Sequence, residues 1–440
     1  MEYLVIVVVC LAVYFRSLNY QPVVDDVSNR VKHNQPEAED QHSLIVKVRR
    51  ALDGNYPVRS IQLDRAITIV IHIIVCCLMC AAFGTLVPSL LFAVNISNNQ
   101  VTLWLNGKRY GINTIVCLLA YISPWFIPLW FITPYFQASA ISFPLLLAFK
   151  YNFWLLSAIP LGLLLGRKFL INWGKSRIKS NNFPFFTDWN NGKICLIAKT
   201  FTFYLIRGLI PFIPSMYINY LRNYGLLNED TDRAFKFDLA AAFGFLLIVT
   251  IPILFVVNPT FFLGLMWWLV TIAVFSNYIT VTMIFAERYM YLPNVGLMLF
   301  LTNLLSLIDP QLWLLVFGLY VGRLISYMPM YRDLDTFFEH HLYTDPTNDT
   351  GWVGAINIAV AKKDSATGLQ LTNRALNAGA MSPRIWINRA ALIAAYGDKK
   401  MAFECLDEAD LRCTDGYRDI MLPKINQLRK EISEKETKEK

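Results

Sequence analysis

Residues 65–96, RAITIVIHIIVCCLMCAAFGTLVPSLLFAVNI, decide the architecture of this chain. Between Arg65 and Gly84 the run is apolar apart from Thr68 and His72. A stretch of roughly 20 such residues is what a helix needs to cross the hydrocarbon core of a bilayer. Gly84 and Pro88 then interrupt the run, so the spacing predicts a span over 65–83, a break, and a short return over 85–96.

Carried outward, the same reading predicts about eleven spans, at 2–17, 65–83, 85–96, 110–127, 129–149, 151–167, 194–216, 238–257, 259–284, 293–308 and 312–329. Composition agrees, with 55% apolar and only 16% charged residues in 440. The expected fold is all-α: a polytopic membrane domain over 1–330 and a polar, water-soluble helical domain over 331–440. The first segment lacks a basic leader and a small-residue cleavage site before Arg16, so it reads as a retained helix. The net charge of +8 is scattered and gives no nucleic-acid footprint; membrane lipids are the expected surroundings.

The loop 167–193 carries Arg167, Lys168, Lys175, Arg177, Lys179 and Lys193 against Asp188, which marks it as cytoplasmic. Counting five spans back puts loop 18–64 outside, and counting forward puts the C-terminal domain outside as well. The first loop is itself basic, with Arg30, Lys32, Lys47, Arg49, Arg50 and Arg59, which argues against that count. In the tail, Trp352 and Trp386, Ala361 and Ala395, and Asp364 and Asp398 all recur at 34 residues, the period of tetratricopeptide helix pairs, with a closing helix at about 414–436. Such a stack either binds a protein or caps the membrane domain.

Most cysteines (Cys10, Cys76, Cys77, Cys80, Cys117, Cys195) sit in apolar runs and read as small hydrophobes, with no metal or disulfide spacing. Cys405 and Cys413 read as packed thiols.

Several segments could carry chemistry. Asp25 and Asp26 form an acidic pair after the first span; one carboxylate can take a proton from an attacking hydroxyl while its neighbour orients it, although such pairs also simply open loops. Asn95, Asn99 and Gln100 lie in a polar stretch that runs into Trp104, Lys108 and Arg109. Their amides suit sugar hydroxyls and the two cations suit phosphate, or the stretch is a membrane-edge helix with snorkelling bases. Arg288 follows Glu287 and precedes Tyr291; its planar fork fits a phosphate, or it pairs with Glu287 at a helix end. Arg207 and His72 are ionisable at membrane depth, where a cavity or a partner is expected, although a lone His is also a common packing residue.

Together these segments resemble the protein O-mannosyltransferase superfamily, and within it the transmembrane-and-tetratricopeptide glycosyltransferases of GT-C fold. Val24-Asp25-Asp26 is similar to that family's acidic pair, and Leu63 to Cys76, with His72, to its second span. Leu91 to Arg109 is similar to its loop ending in Trp-x-x-Gly-Arg, and Ala286-Glu287-Arg288-Tyr289-Met290-Tyr291-Leu292-Pro293 to its Ala-Glu-Arg-x-x-Tyr-Leu-Pro signature. The resemblance implies an inverting transfer from a polyprenyl-phosphate sugar to a protein Ser or Thr hydroxyl. Asp25 or Asp26 would be the base, and Arg288, with Arg207, Lys108 and Arg109, would hold the donor phosphate. Asn95, Asn99, Gln100, His72, Glu287 and Tyr291 would contact substrate.

The short tail resembles bacterial members, which implies the inner membrane with the catalytic loop and C-terminal domain in the periplasm, or the ER membrane in a eukaryote. The acceptor would be an exported protein, such as a type IV pilin, docked by the repeats. No cofactor is expected, since the lipid-linked sugar is a substrate and an Arg serves the phosphate; an acidic pair can nonetheless bind a divalent ion. Asn95-Ile96 and Asn99-Gln100 replace the family's His-Pro and acidic residue, which leaves the sugar open. A transporter or a non-catalytic assembly platform is the other class of reading.

Overall fold

The computed structural model describes residues 1–23, 60–130, 142–153, 156, 191–210, 237–276, 286–344, 346, 349–362, 364–380, 382–413 and 415–439. No strand occurs among them. The helices are α1 (Glu2–Tyr14), α2 (Ile61–Phe83), α3 (Val87–Ala93), α4 (Asn99–Leu103), α5 (Lys108–Ile122), α6 (Ile127–Trp130), α7 (Pro144–Tyr151), α8 (Asn191–Leu209), α9 (Leu239–Val257), α10 (Pro259–Ile272), α11 (Tyr291–Ile308) and α12 (Leu312–Tyr327). In the tail they continue as α13 (Leu334–Thr344), α14 (Asp349–Ala361), α15 (Ser365–Asn377), α16 (Pro383–Ala395), α17 (Lys399–Leu411) and α18 (Asp415–Glu439). The chain divides into two compact units, one holding Met1–Asn172, Leu196–Tyr217 and Phe237–Leu334, the other Trp173–Cys195, Ile218–Lys236 and Asp335–Lys440.

Among the described residues, five helical segments are long and apolar enough to cross a membrane: Glu2–Asn19, Ile61–Phe83, Leu239–Val257, Glu287–Ile308 and Leu312–Tyr331. Their outer faces are apolar at helical spacing. On α9 the exposed side chains include Leu239, Phe243, Leu246, Val249 and Ile253, and along the first segment Leu4, Val8 and Leu11 of α1 and Phe15 of the 3₁₀ turn that follows it. Water would penalise such faces and lipid would not. Of the other expected spans, 110–127 is the 15-residue α5 and 259–284 is described only to Ser276. Most of 129–149 and 151–167 lies outside the described residues, as does the basic loop over 167–190.

The expected short return over 85–96 takes a different form. Ser60 caps the start of α2, and Gly84, at φ 66°, ends it in the left-handed conformation that a side chain would resist. Pro88 then opens α3, which at seven residues and a rise of about 1.5 Å each is far too short to cross a core of roughly 30 Å. The chain instead returns along α2 in pieces. From Gly84 the chain passes Phe92 and Ala93, which lie against mid-helix His72. It continues through a 3₁₀ turn at Ile96–Asn98, α4, and a second 3₁₀ turn at Leu105–Gly107, and Lys108 meets Asp64 at the start of α2. Then α5 runs alongside α2, with Tyr121 against Phe83 at the far end. Residues 88–105 are all buried, the condition under which broken backbone is tolerated at membrane depth.

Two further features hold this bundle. On α10 and α11, Gly264 and Gly296 face each other so closely that a methyl on either would run into the other's carbonyl oxygen. Trp267, fully buried, donates from Nε1 to the Leu292 carbonyl at 3.1 Å and packs edge-on against Phe83, Tyr121 and Phe143.

In the second unit α14 and α16 begin at Asp349 and Pro383, and α15 and α17 at Ser365 and Lys399, so each 13-residue helix recurs 34 positions on. Asp364 and Asp398 cap α15 and α17, each accepting from a backbone N–H, of Thr367 and Met401, at 3.0 Å. The Thr367 side chain and backbone hold the Asp364 carboxyl below the usual carboxylate range. Trp352, Ile356, Ala375 and Ile385 form one core layer, and Ala402, Cys405, Leu406, Met421 and Ile425 belong to the next. Cys405 and Cys413 are both buried free thiols in that second layer.

Candidate functional site

The broken return along α2 gathers segments that are far apart in sequence. His72 Nδ1 lies 2.6 Å from the Tyr291 hydroxyl, and its Nε2 lies 3.2 Å from the Ala93 carbonyl, which also accepts from Tyr14 Oη at 3.0 Å. Asn294 Nδ2 donates to Asn98 Oδ1 at 2.9 Å, and Asn98 Nδ2 donates to the Phe92 carbonyl at 2.8 Å. Asn95 Nδ2 donates to the Gly208 carbonyl at 2.9 Å, and Ser97 Oγ donates to that of Arg207 at 3.0 Å. The Arg288 backbone N–H donates to Gln100 Oε1 at 2.8 Å. Residues 72, 95–100, 207–208 and 287–294 therefore share one polar core.

Two buried ion pairs brace it. Arg207 and Glu287, both fully enclosed, are joined through Nε at 2.8 Å and through Nη2. Lys108 Nζ meets Asp64 Oδ1 at 2.7 Å, with neither side chain exposed. Charges removed from water this completely persist only when paired. Arg65 acts as a clamp, donating to the carbonyls of Tyr20 at 2.8 Å, Gln21 at 2.6 Å and Leu103 at 2.6 Å. It ties the end of the first helical segment to the end of α4. Val23, two residues before Asp25, is fully buried. Asp25 and Asp26 themselves lie outside the described residues.

Of the other cations, Arg288 is half-buried beside the rings of Trp104, at 5.8 Å, and Tyr289, at 5.1 Å. The Arg109 guanidinium stands 5.1 Å from the Tyr110 ring.

Beside these satisfied contacts stands a set of buried polar atoms with no hydrogen-bond partner among the described residues: both side-chain atoms of Asn99, Gln100 Nε2, Trp104 Nε1, Glu287 Oε2 and Asn294 Oδ1. A buried polar group left unsatisfied costs about 1–3 kcal/mol, so folds rarely leave several together without a polar guest. They offer both donors and acceptors, which is what a polyhydroxylated ligand requires.

Of the described residues expected from sequence, His72, Asn95, Asn99, Gln100, Arg207, Glu287, Arg288 and Tyr291 fall within the segments that share this core, Lys108 pairs with Asp64, and Arg109 stands beside Tyr110. Arg207 and Lys108 are bound to carboxylates of the protein itself, and His72 and Asn95 to neighbouring backbone and side-chain groups. Asp64, Arg65, Tyr14 and Asn294 are structural members that the sequence reading did not single out. The signal for Asp64 and Arg65 was two charges at the mouth of an apolar run, opposite in the chain to Lys108 and Arg109.

No family model matches the chain, and neither a curated protein nor a solved structure matches it.

Proposed function

We propose that the membrane unit is a glycosyltransferase that moves a sugar from a polyprenyl-phosphate donor to a Ser or Thr hydroxyl of an exported protein, on the non-cytoplasmic face. The observation that carries this reading is the cluster of unsatisfied buried donors and acceptors at Asn99, Gln100, Trp104 and Glu287, inside a discontinuous return within a lipid-facing bundle. A sugar bound there would arrive from the bilayer already attached to its lipid.

In the proposed transfer the acceptor oxygen attacks the anomeric carbon and its proton passes to Asp25 or Asp26. The bond from that carbon to the phosphate oxygen breaks, and the electron pair leaves with the polyprenyl phosphate. Arg288, with Arg109, stabilises the charge that develops there. Arg207 and Lys108, held by Glu287 and Asp64, position the walls instead of the phosphate. Alignment of donor and acceptor supplies a large share of the rate, since orientation alone lowers comparable barriers by about 7–11 kcal/mol.

The 34-residue helix pairs of the second unit read as a degenerate tetratricopeptide module. A cavity of about 900 Å³ in that unit, lined by Phe338, Leu342, Trp352, Leu371 and Arg374 among others, suits an extended acceptor segment.

The broken return also favours a second reading, a transporter whose solute binds at the same unsatisfied groups. The two part at the covalent product. The purified chain in lipid nanodiscs, given a series of polyprenyl-phosphate sugars and a Ser/Thr peptide library, is expected to release polyprenyl phosphate and form glycopeptide. Donor binding with no glycopeptide from any sugar in the series would favour transport.

A further inference from the structure

A second cluster shares His72 with the polar core. Cys10 on α1 and His72 and Cys76 on α2 bring two thiols and an imidazole together, with the three donor atoms all within 4.8 Å of one another. All three residues are buried, at 0%, 1% and 0% exposure. His72 and Cys76, four apart, lie on one face of α2, with Nε2 and Sγ 3.9 Å apart. Cys10 comes from a different helix, which is why no spacing in the sequence announces the group.

We infer that Cys10, His72 and Cys76 form a structural zinc site that clips α1 to α2 inside the bundle.

The donor set selects the ion. Two sulfurs and an imidazole nitrogen suit zinc and copper(I), whereas calcium and magnesium require oxygens and an iron–sulfur cluster requires more cysteines. Charge then separates the first two. Zinc(II) with two thiolates and a neutral imidazole is neutral, while copper(I) with the same ligands leaves a net negative charge in an apolar interior, where an uncompensated charge is costly. Binding forms two Zn–S bonds and one Zn–N bond and releases two protons to solvent, one from each thiol; no electron moves.

The surroundings support ligation by His72 Nε2. That nitrogen is the one facing Cys76, while Nδ1 lies 2.6 Å from the Tyr291 hydroxyl, so with Nε2 on the metal the Nδ1–H donates to Tyr291 Oη. A ligating imidazole whose other N–H is held by an oxygen is the usual outer-shell arrangement, and here it fixes the ring. The Ala93 carbonyl oxygen, 3.2 Å from Nε2, is placed to complete four-coordination. Zinc–sulfur and zinc–nitrogen bonds of about 2.3 and 2.0 Å require the donors to draw together by less than about 1 Å from their present spacing. The site gives His72 a ligand's role instead of a substrate contact, and it stands whether or not the unit transfers sugar.

The test uses the full chain, purified in detergent under reducing conditions without chelators. Elemental mass spectrometry is expected to find about one zinc per chain in the wild type and in Cys117→Ser, which alters a buried thiol on α5, and below about a tenth of that in Cys10→Ser and Cys76→Ser. Zinc X-ray absorption on the wild type alone, which needs no variant to fold, is expected to show a first shell of two sulfurs with nitrogen or oxygen. Cobalt(II) added to the demetallated chain is expected to produce thiolate charge-transfer absorption at one equivalent. Trace zinc with no cobalt–thiolate band in a folded chain would overturn the site, as would a shell without sulfur or stoichiometric copper in place of zinc.

Discussion

Arg207 and Glu287 are 80 residues apart and meet in the interior of the first unit. Read along the chain, an arginine at membrane depth asks for a partner, and Glu287 beside Arg288 looks like a local helix-end pair. The ion pair that forms is the long-range one, and no local pattern announces it. Removing one member leaves the other charged and enclosed, so Glu287→Gln is expected to lower stability by about 3–5 kcal/mol in a detergent melt. A loss below 1 kcal/mol would mean that the pair is solvated. Asn99 makes the opposite prediction. Both of its side-chain polar atoms are buried without a partner, so Asn99→Leu is expected to leave the melting temperature unchanged or raise it while cutting transfer roughly fivefold or more, the loss of about 1 kcal/mol of ligand hydrogen bonding. Destabilisation with full activity would assign Asn99 to the fold instead of the site. The amides at Asn95, Asn99 and Gln100 were legible as a polar stretch. Which of them are satisfied by the protein and which are left over depends on contacts 100 and more residues away.

Among the elements, apolar length located the membrane helices well: α2, α9, α11 and α12 fall close to where the runs of residues place them. Apolar length failed for the return between Gly84 and Lys108, because a helix broken into three- to seven-residue pieces has no period for a sequence window to detect. What sustains it is burial against α2 and α11, a property of the assembled bundle. Gly84 and Pro88 were readable as the break itself. The contact of α10 with α11 rests on Gly264 and Gly296, where the backbones approach to within a side chain's exclusion. Gly264→Val or Gly296→Val is expected to cost about 1–3 kcal/mol of stability through overpacking and to lower the yield of folded protein. Wild-type melting of both variants would show that the helices are free to separate by the width of a side chain.

At the scale of the whole chain, the 34-residue recurrence was legible from paired Trp, Ala and Asp positions because each repeat is a local helix pair. The membrane unit gave fewer such clues, since its site is assembled from four distant segments. One global property follows from the second unit. His341 is buried against Phe337, and burial, with His340 beside it, lowers its pKa to about 3. An unfolded histidine binds its proton near pH 6.5 while the folded one stays neutral. The stabilisation is therefore complete above pH 6.5 and is lost as pH falls from there towards 3, by up to about 1.4 kcal/mol per unit. His341→Phe is expected to flatten that part of a stability–pH profile, and parallel profiles for the two proteins would refute the assignment.

Sugar transfer would leave a covalent adduct on exported proteins, which intact mass in the native host reads out. Wild type, Asp25→Asn, Asp26→Asn and Arg288→Ala, matched for membrane level, are compared by intact mass spectrometry of exported proteins. One sugar mass is expected to disappear from a defined set of proteins in the Arg288 variant and in at least one Asp variant. Unchanged masses in all three variants and in a strain lacking the chain would contradict it.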